Sequence, residues 1–326
     1  MSAAQGVLDR LVTGDRTALA RAITWAESAD PRFRVVLTGA NERVGRGWRV
    51  GITGPPGAGK STLTNELISA HRAAERSVGV LAVDPSSPFT GGALLGDRIR
   101  MDGRTSDEGV FIRSMASRGS HGGIARATVD AVDAMDAFGL EELLIETVGV
   151  GQAEYDVVGA ADTVLVVLCP GAGDGVQALK SGILEVADVL CVNKADLSGA
   201  ERLAADLEEA VSLRDDEPHG GWVTPVVSCS AGTSEGIEDV LAALGQHRAW
   251  LEDGRLEAHR EARRLAQVHR ALAEAVDREL WEAFGWRERA ARLLADGAAH
   301  YDVVADLIEE LRAQTRTAAG GGASER

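Results

Sequence analysis

Gly54-Pro55-Pro56-Gly57-Ala58-Gly59-Lys60-Ser61 stands between a β-branched run, Arg49 to Thr53, and a segment with apolar residues at helical spacing, Leu63, Leu67 and Ile68. The spacing G-x-x-x-x-G-K-[ST] between a strand and a helix predicts a phosphate-binding loop. Its glycines let the backbone curl so that successive N–H groups point inward at phosphate oxygens. The helix N-terminus adds its positive dipole end, and Lys60 adds a mobile cation. Gly54 to Thr62 are therefore the expected nucleotide cradle, with Ser61 as a magnesium ligand.

Outward from this loop, short β-branched runs alternate with helix-period segments: Val78 to Val83, Val110 to Ile112, Leu143 to Glu146, Thr163 to Leu168, Val189 to Val192 and Val223 to Val227. Each parallel pairing needs a crossover, so the rhythm predicts an α/β fold, a mostly parallel sheet with helices on both faces. The unbroken apolar run Val164 to Leu168 fits a strand covered on both sides. Residues 1–46 read as a helical segment, with Leu8, Leu11, Leu19, Ile23 and Trp25 as its apolar positions and a break at Asp30-Pro31.

After Ala249 the strand signal stops. Leu265, Val268, Leu272, Val276 and Leu280 mark one helix face, and Val304, Leu307, Ile308 and Leu311 another. Those stripes are compatible with packing on the parent domain or with a dimerisation arm. The expected division is a helical segment 1–46, a nucleotide-binding domain 47–249, a helical arm 250–313 and a frayed tail 314–326.

Composition narrows the function. The 326 residues are 45% hydrophobic and 26% charged, a globular balance, and carry a net charge of −16. Such a surface repels nucleic acid and anionic lipid, so neither is an expected partner. The longest apolar stretches are strand-sized and no secretory pattern opens the chain, which points to a cytoplasmic protein. Cys169, Cys191 and Cys229 sit in or beside apolar runs and read as reduced core residues, and the scattered histidines lack the spacing of a zinc site.

Asn193-Lys194-Ala195-Asp196 follows the run Val189 to Val192 and matches the N-K-x-D element of GTPases. Asp196 can accept from both the ring NH and the exocyclic amine of guanine, a donor pair that adenine lacks. Lys194 can lay its stem along the purine, Asn193 can tie this loop to the phosphate loop, and Ser230-Ala231 resembles the last base-contact element. Glu146-Thr147-Val148-Gly149 occupies the place of D-x-x-G, with Glu146 as a magnesium ligand and the Gly149 NH available to the γ-phosphate. Val150 stands where Ras-like proteins place a water-orienting glutamine, so slow intrinsic hydrolysis is expected, with Gln152, Arg98, Arg113 or Arg118 as candidate helpers. Asp84 and Asp97 follow the second strand and are further candidate metal or water ligands, although a strand ending in Asp-Pro is also a common turn.

These residues together resemble the MeaB/ArgK (MMAA-like) GTPases. The likeness rests on Gly54 to Thr62, Ala82 to Pro88, Gly91-Gly92 to Met101, Arg113 to Ala116, Glu146 to Gln152, Pro170 to Asp174 and Asn193 to Asp196, and it extends over nearly the whole chain. The resemblance implies a SIMIBI-type P-loop G domain that cycles between GTP and GDP with magnesium. It also implies a C-terminal dimerisation arm and a homodimer. Asp84, Asp97 and Glu146 then correspond to acids of the magnesium and switch region, and Cys169 to Lys180 to an additional switch. The implied partner is an adenosylcobalamin-dependent acyl-CoA mutase such as methylmalonyl-CoA mutase, together with its adenosyltransferase. Rival readings are a nickel-enzyme metallochaperone of the same class, an ATP-dependent kinase of a transport system, and a scaffold with structural nucleotide. The first lacks a His/Cys-rich store, the second conflicts with Asn193 to Asp196, and the third with Lys60, Ser61 and Glu146.

Overall fold

The computed structural model describes residues 2–85, 107–117, 123–147, 158–171, 183–213 and 220–321; for 84–85, 116–117, 123–125, 158, 183 and 314–321 it describes the backbone alone. The chain divides into two compact units, Met1–Gln267 and Val268–Arg326.

Seven parallel strands form the sheet of the first unit: β1 (Trp48–Thr53), β2 (Val78–Pro85), β3 (Val110–Ser117), β4 (Glu142–Thr147), β5 (Thr163–Leu168), β6 (Val189–Asn193) and β7 (Val226–Cys229). Their order is β3-β2-β4-β1-β5-β6-β7, so β1, which leads into the phosphate loop, lies at the centre. Its helices are α1 (Ala3–Val12), α2 (Arg16–Glu27), α3 (Pro31–Ala40), α4 (Lys60–Ala73), α5 (Gly123–Phe138), α6 (Ala200–Ser212) and α7 (Ile237–Glu252), followed by the start of α8 (Leu256–Arg278). The period-2 alternation of each strand sorts its side chains between the two faces. Leu165 and Val167 pack with Leu63, Leu67 and Val240 of α4 and α7, while Val164, Val166 and Leu168 pack with Ala200 and Leu207 of α6. On that second side Leu81, Val83 and Ile145 meet α5 and the N-terminal helices.

Residues 2–43 fold as three α-helices and a short 3-10 turn (Asn41–Arg43), each α-helix begun by a side-chain cap: Ser2, Asp15 and Asp30. Leu11, Leu19 and Ile23 are completely buried. The chain breaks at Gly14-Asp15 as well as at Asp30-Pro31, where Asp15 accepts from the Thr17 and Ala18 amides.

Several boundaries differ from the pattern reading. β3 continues to Ser117 because it stays in register with β2 as far as Pro85↔Ser117. β7 begins at Val226, not Val223. Pro225 offers no N–H, the Trp222 indole and Thr224 hydroxyl bond instead to the carbonyls of Asp188 and Ala187, and Val223 stays 69% exposed. The first compact unit extends to Gln267, past the expected boundary at 249, because the start of α8 is tied into it.

That tie is a buried ionic network at the N-terminal ends of β1 and β5. Arg49, 2% exposed, bonds Asp136 at 2.7 Å and Asp133 at 2.8 Å. Asp136 also accepts the amides of Gly45, Arg46 and Gly47. Asp162 accepts the Arg49 amide at 3.1 Å, Arg260 through both Nε and Nη2 at 3.0 and 2.8 Å, and Arg263 at 2.6 Å. Arg260 further donates to the carbonyls of Gly45 and Gly47, and Gln267 to that of Gly159. Burial alone would raise the Asp162 carboxyl, but Arg260, Arg263 and Arg49 hold it below the usual carboxylate range. Asp130, one turn earlier on α5, is raised by burial to about 6.

In the second unit a π-helical turn (Glu279–Ala283) leads to α9 (Trp286–Ala295) and α10 (His300–Gly321). Trp286 and Ala290 pack against Val303 and Leu307, flanked by Leu280, Leu293 and Leu311. Val303, not Val304, takes the buried position; Val304 and Ile308 lie on the exposed side of the same helix. The α10 backbone runs to Gly321, past the expected break at Gln314, since Ala313, Gln314, Arg316, Ala318 and Ala319 are strong helix formers. On α8, Leu265, Val268, Leu272 and Val276 are exposed. Among the described residues no helix is long and apolar enough to cross a membrane.

Candidate functional site

The C-terminal ends of β1, β4, β6 and β7 gather most of the residues singled out by their spacing. After Thr53 the chain turns at Gly54, with φ +133°; a Cβ there would stand 2.0 Å from the Val167 carbonyl oxygen of β5, which is backbone and cannot yield. Gly59, with φ +91°, precedes α4 without a side-chain cap, and a Cβ there would stand 2.3 Å from the Asn193 amide nitrogen. Only glycine meets both demands at each position. The helix is thus entered through a glycine whose lack of a side chain leaves the first-turn N–H groups to an external acceptor, the arrangement that favours a bound anion.

Two lysines are folded onto the loop's own carbonyls. Lys60 Nζ donates to Gly54 at 2.6 Å and Pro55 at 3.0 Å, while Lys194 Nζ donates to Gly57 at 2.7 Å. Ser61, in the first turn of α4, donates through Oγ to Glu146 Oε1 at 2.5 Å. Glu146 ends up there because β4 lies beside β1 with Ile52↔Glu146 in register. Behind this pair, Thr147 Oγ1 donates to Thr53 Oγ1 at 3.2 Å, joining the two strand ends. A hydroxyl and a carboxylate in direct contact at the foot of a phosphate loop are hard oxygen donors, the kind magnesium takes beside phosphate oxygens and water. Among the described residues no group of three His, Cys, Asp or Glu side chains is gathered as a metal cluster. Magnesium fits this set because it needs only one or two protein oxygens.

Asn193 is the joint between phosphate loop and base loop. Its Nδ2 donates to the Ala58 carbonyl at 2.8 Å, and its Oδ1 accepts the amides of Lys194 at 2.8 Å and Ala231 at 3.0 Å. Lys194 takes φ +59°, an unusual conformation for a side chain of its type, held here by its Nζ contact and the Asn193 carbonyl. Ser230 accepts the Asp196 amide at 3.1 Å and donates to Asp196 Oδ1 at 2.8 Å, fixing one carboxylate oxygen.

The structure therefore brings together Gly54 to Thr62, Glu146, Asn193, Lys194, Asp196, Ser230 and Ala231 along one edge of the sheet. Asp84 lies at the C-terminal end of β2, next to the end of β4, by the register Ala82↔Glu146 and Val83↔Thr147; its side chain is outside the description. Asp97 and Gly149 lie outside the described residues, as do Arg98, Arg118, Val150, Gln152 and Ala172 to Lys180. Arg113 points elsewhere, pairing with Glu27 of α2 at 2.5 Å. Pattern reading missed the Thr53–Thr147 link and the Cys229 carbonyl that accepts the Ala195 amide at 3.0 Å. Both follow from strand adjacency rather than from any local sequence signal.

The family described as methylmalonyl Co-A mutase-associated GTPase MeaB matches residues 19–285. Among individual relatives, a Pyrococcus abyssi protein is 48% identical over 79% of this chain and 80% of its own. The GTPase ArgK of Escherichia coli is 34% identical over 82% of this chain and 83% of its own. The mouse protein named methylmalonic aciduria type A homolog, mitochondrial, is 35% identical over 83% of this chain and 71% of its own. A solved structure titled LAO/AO transport system kinase superposes with a TM-score of 0.73 at 26% identity, covering 95% of this chain and 97% of that one.

Proposed function

Since this chain belongs to the MeaB family of GTPases and hydrolyses GTP, we propose that it is a magnesium-dependent chaperone. In this reading it gates cofactor loading and protection of an adenosylcobalamin-dependent acyl-CoA mutase, methylmalonyl-CoA mutase or a close relative. It would work as a homodimer in the cytoplasm and gate the mutase's receipt of cofactor from its adenosyltransferase. The observation that carries the nucleotide part is the Asn193 joint, which holds the base loop against Ala58 of the phosphate loop. The mutase part is supported by the family description and the exposed stripe on α8 supports the dimer.

The residues divide the work as follows. Gly54, Gly57, Ala58, Gly59 and Thr62 offer backbone N–H groups to the phosphate cradle, Pro55 and Pro56, which have none, shape its turn, and Lys60 leaves the Gly54 and Pro55 carbonyls for the β- and γ-phosphates. Ser61 and Glu146 would hold magnesium, with Asp84 and Asp97 as further candidate acids for it. Held by these residues, magnesium would supply charge neutralisation at the phosphates. The Gly149 NH senses the γ-phosphate, so its loop is released on hydrolysis. Asp196 reads guanine while Ser230 holds the carboxylate still, and Lys194 and Ala231 border the base. A mutase that binds the GTP and GDP forms unequally must in turn shift the nucleotide equilibrium, which gives gating without cofactor chemistry in this chain.

Two measurements test this. Asp196→Asn should lower GTP affinity about 100-fold and favour xanthosine triphosphate, because an amide cannot accept from both guanine donors. Unchanged preference, or equal binding of ATP by the parent, would overturn the base assignment and favour the kinase reading. Calorimetry against methylmalonyl-CoA mutase should show association that differs between GTP and GDP; none with any acyl-CoA mutase would discard the chaperone role and leave the GTPase.

A further inference from the structure

We propose that Cys191 and Cys229 form an oxidisable dithiol, a modification site for hydroperoxides that weakens guanine-nucleotide binding when it closes to a disulfide. The inference rests on reading Asn193 to Asp196 and Ser230-Ala231 as the base-binding loops.

The two thiols lie on neighbouring strands, β6 and β7, with their sulfurs 3.3 Å apart. Both face the core side shared by Leu165, Val167 and Val240. Small apolar side chains would satisfy that packing, and chance burial of two cysteines is the plain alternative. Three observations favour chemistry. First, the pair is polarised. The Cys191 thiol facing Cys229 lowers the Cys229 thiol below its ordinary value and is itself pushed up, which makes Cys229 the more readily ionised of the two. Second, the pair sits directly beneath the base loops. Cys191 stands two residues before Asn193 and Cys229 is joined to Ser230; Cys229 Sγ lies 3.5 Å from Asn193 Oδ1 as a donor to it. Third, reagent access has a route. β7 is a four-residue strand at the end of the sheet, paired with β6, and Val226, Val227 and Ser228 are partly or fully exposed. Short edge strands open locally at far less cost than the core, which lets a small peroxide reach two otherwise buried sulfurs.

The chemistry balances without any other reagent. The Cys229 thiolate attacks one peroxide oxygen, the O–O bond breaks, and hydroxide leaves and takes up the proton released by that thiol, giving water and a sulfenic acid. Cys191 sulfur then attacks the Cys229 sulfur, the S–O bond breaks, and the departing hydroxyl leaves as a second water with the Cys191 proton. Two thiols and one hydroperoxide become one disulfide and two waters, or one water and an alcohol for an organic hydroperoxide. Closing to the roughly 2.05 Å of an S–S bond draws β7 toward β6 and removes the S–H donor from Asn193 Oδ1. Asn193 is the residue that holds Ala58, and Ser230 the one that steadies Asp196, so both halves of the site shift together.

The full chain is incubated with excess hydrogen peroxide, quenched by alkylation, mapped by peptide mass, and titrated with GTP before and after dithiothreitol. The expected result is a Cys191–Cys229 cross-link, GTP binding weakened about fivefold or more, and recovery on reduction. Cys191→Ala should abolish the response, whereas Cys169→Ala should keep it; if Cys191→Ala fails to fold, Cys191→Val replaces it. Absence of the cross-link, or a complete cross-link with affinity unchanged within twofold, overturns the inference. A reduced protein that binds no GTP breaks the base-binding reading instead, and with it the tuning.

Discussion

The two ends of the sheet are built from opposite materials. At the C-terminal edge, contacts run between backbone carbonyls, amides and short polar side chains, and both lysines are parked on loop carbonyls that nucleotide phosphates can replace. At the N-terminal edge, Arg49, Arg260 and Arg263 are locked against Asp133, Asp136 and Asp162 by charge-assisted bonds, with Arg49 and Asp162 fully buried. One edge is arranged to exchange partners and the other to keep them. That difference teaches how one sheet can offer exchangeable partners at its nucleotide edge and fixed ones at the other: β1 joins the two edges, with charge-assisted bonds at its N-terminal end and neutral hydroxyl and carbonyl contacts at its C-terminal end.

If the edges are divided in this way, variants should separate stability from turnover. The largest effect is expected for Asp162→Ala, which leaves Arg260 and Arg263 buried without their shared acid. Loss of about 3–5 kcal/mol is the usual scale for breaking a buried pair, read by urea unfolding at pH 7. Because the folded carboxyl is held low, its contribution is present above the unfolded pKa and disappears as pH falls through the folded one, so parent and variant should converge in acid. A stable Asp162→Ala protein would erase the contrast.

Next comes Lys60→Ala, expected to cut GTP turnover about 100-fold while moving stability by less than about 1 kcal/mol. A variant that hydrolyses GTP as well as the parent would remove the loop from the chemistry, and one that unfolds would show that the exchanging edge is also structural. The smallest effect is expected at Asp130. Its carboxyl is raised by burial to about 6, so its favourable protonated form is lost as pH rises from the unfolded value through 6. Asp130→Asn should therefore stabilise by roughly 1–2 kcal/mol at pH 8 and leave stability unchanged near pH 4. Equal melting shifts at both pH values would place the cost elsewhere.

The same contrast explains what could be read without coordinates. The exchanging edge was legible because each piece is contiguous: Gly54 to Ser61, Glu146 with its following glycine, and Asn193 to Asp196 each carry their chemistry within a few residues. The register that brings Ile52 beside Glu146 then follows from the parallel sheet. The clamping edge has no such signature. Arg260 meets a carbonyl 213 positions earlier in the chain, and an isolated buried arginine looks like any surface cation in the sequence. Hence strand periodicity ends near residue 249, whereas the contacts of Arg260, Arg263 and Gln267 carry the compact unit further. The start of β7 is hidden for a smaller reason, since β-branched Val223 and Thr224 promise a strand that Pro225 delays.

The central position of β1 also has a consequence for synthesis. Its hydrogen-bonding neighbours are β4, which begins at Glu142, and β5, which begins at Thr163. On a ribosome adding about 5–20 residues per second, this apolar ribbon must wait roughly 5–20 seconds for its neighbours to emerge. The arginines that close over Asp162 come later still. A nascent chain halted before Arg260 therefore carries a finished phosphate loop on an unfinished foundation, and should be the preferred target of cellular quality control.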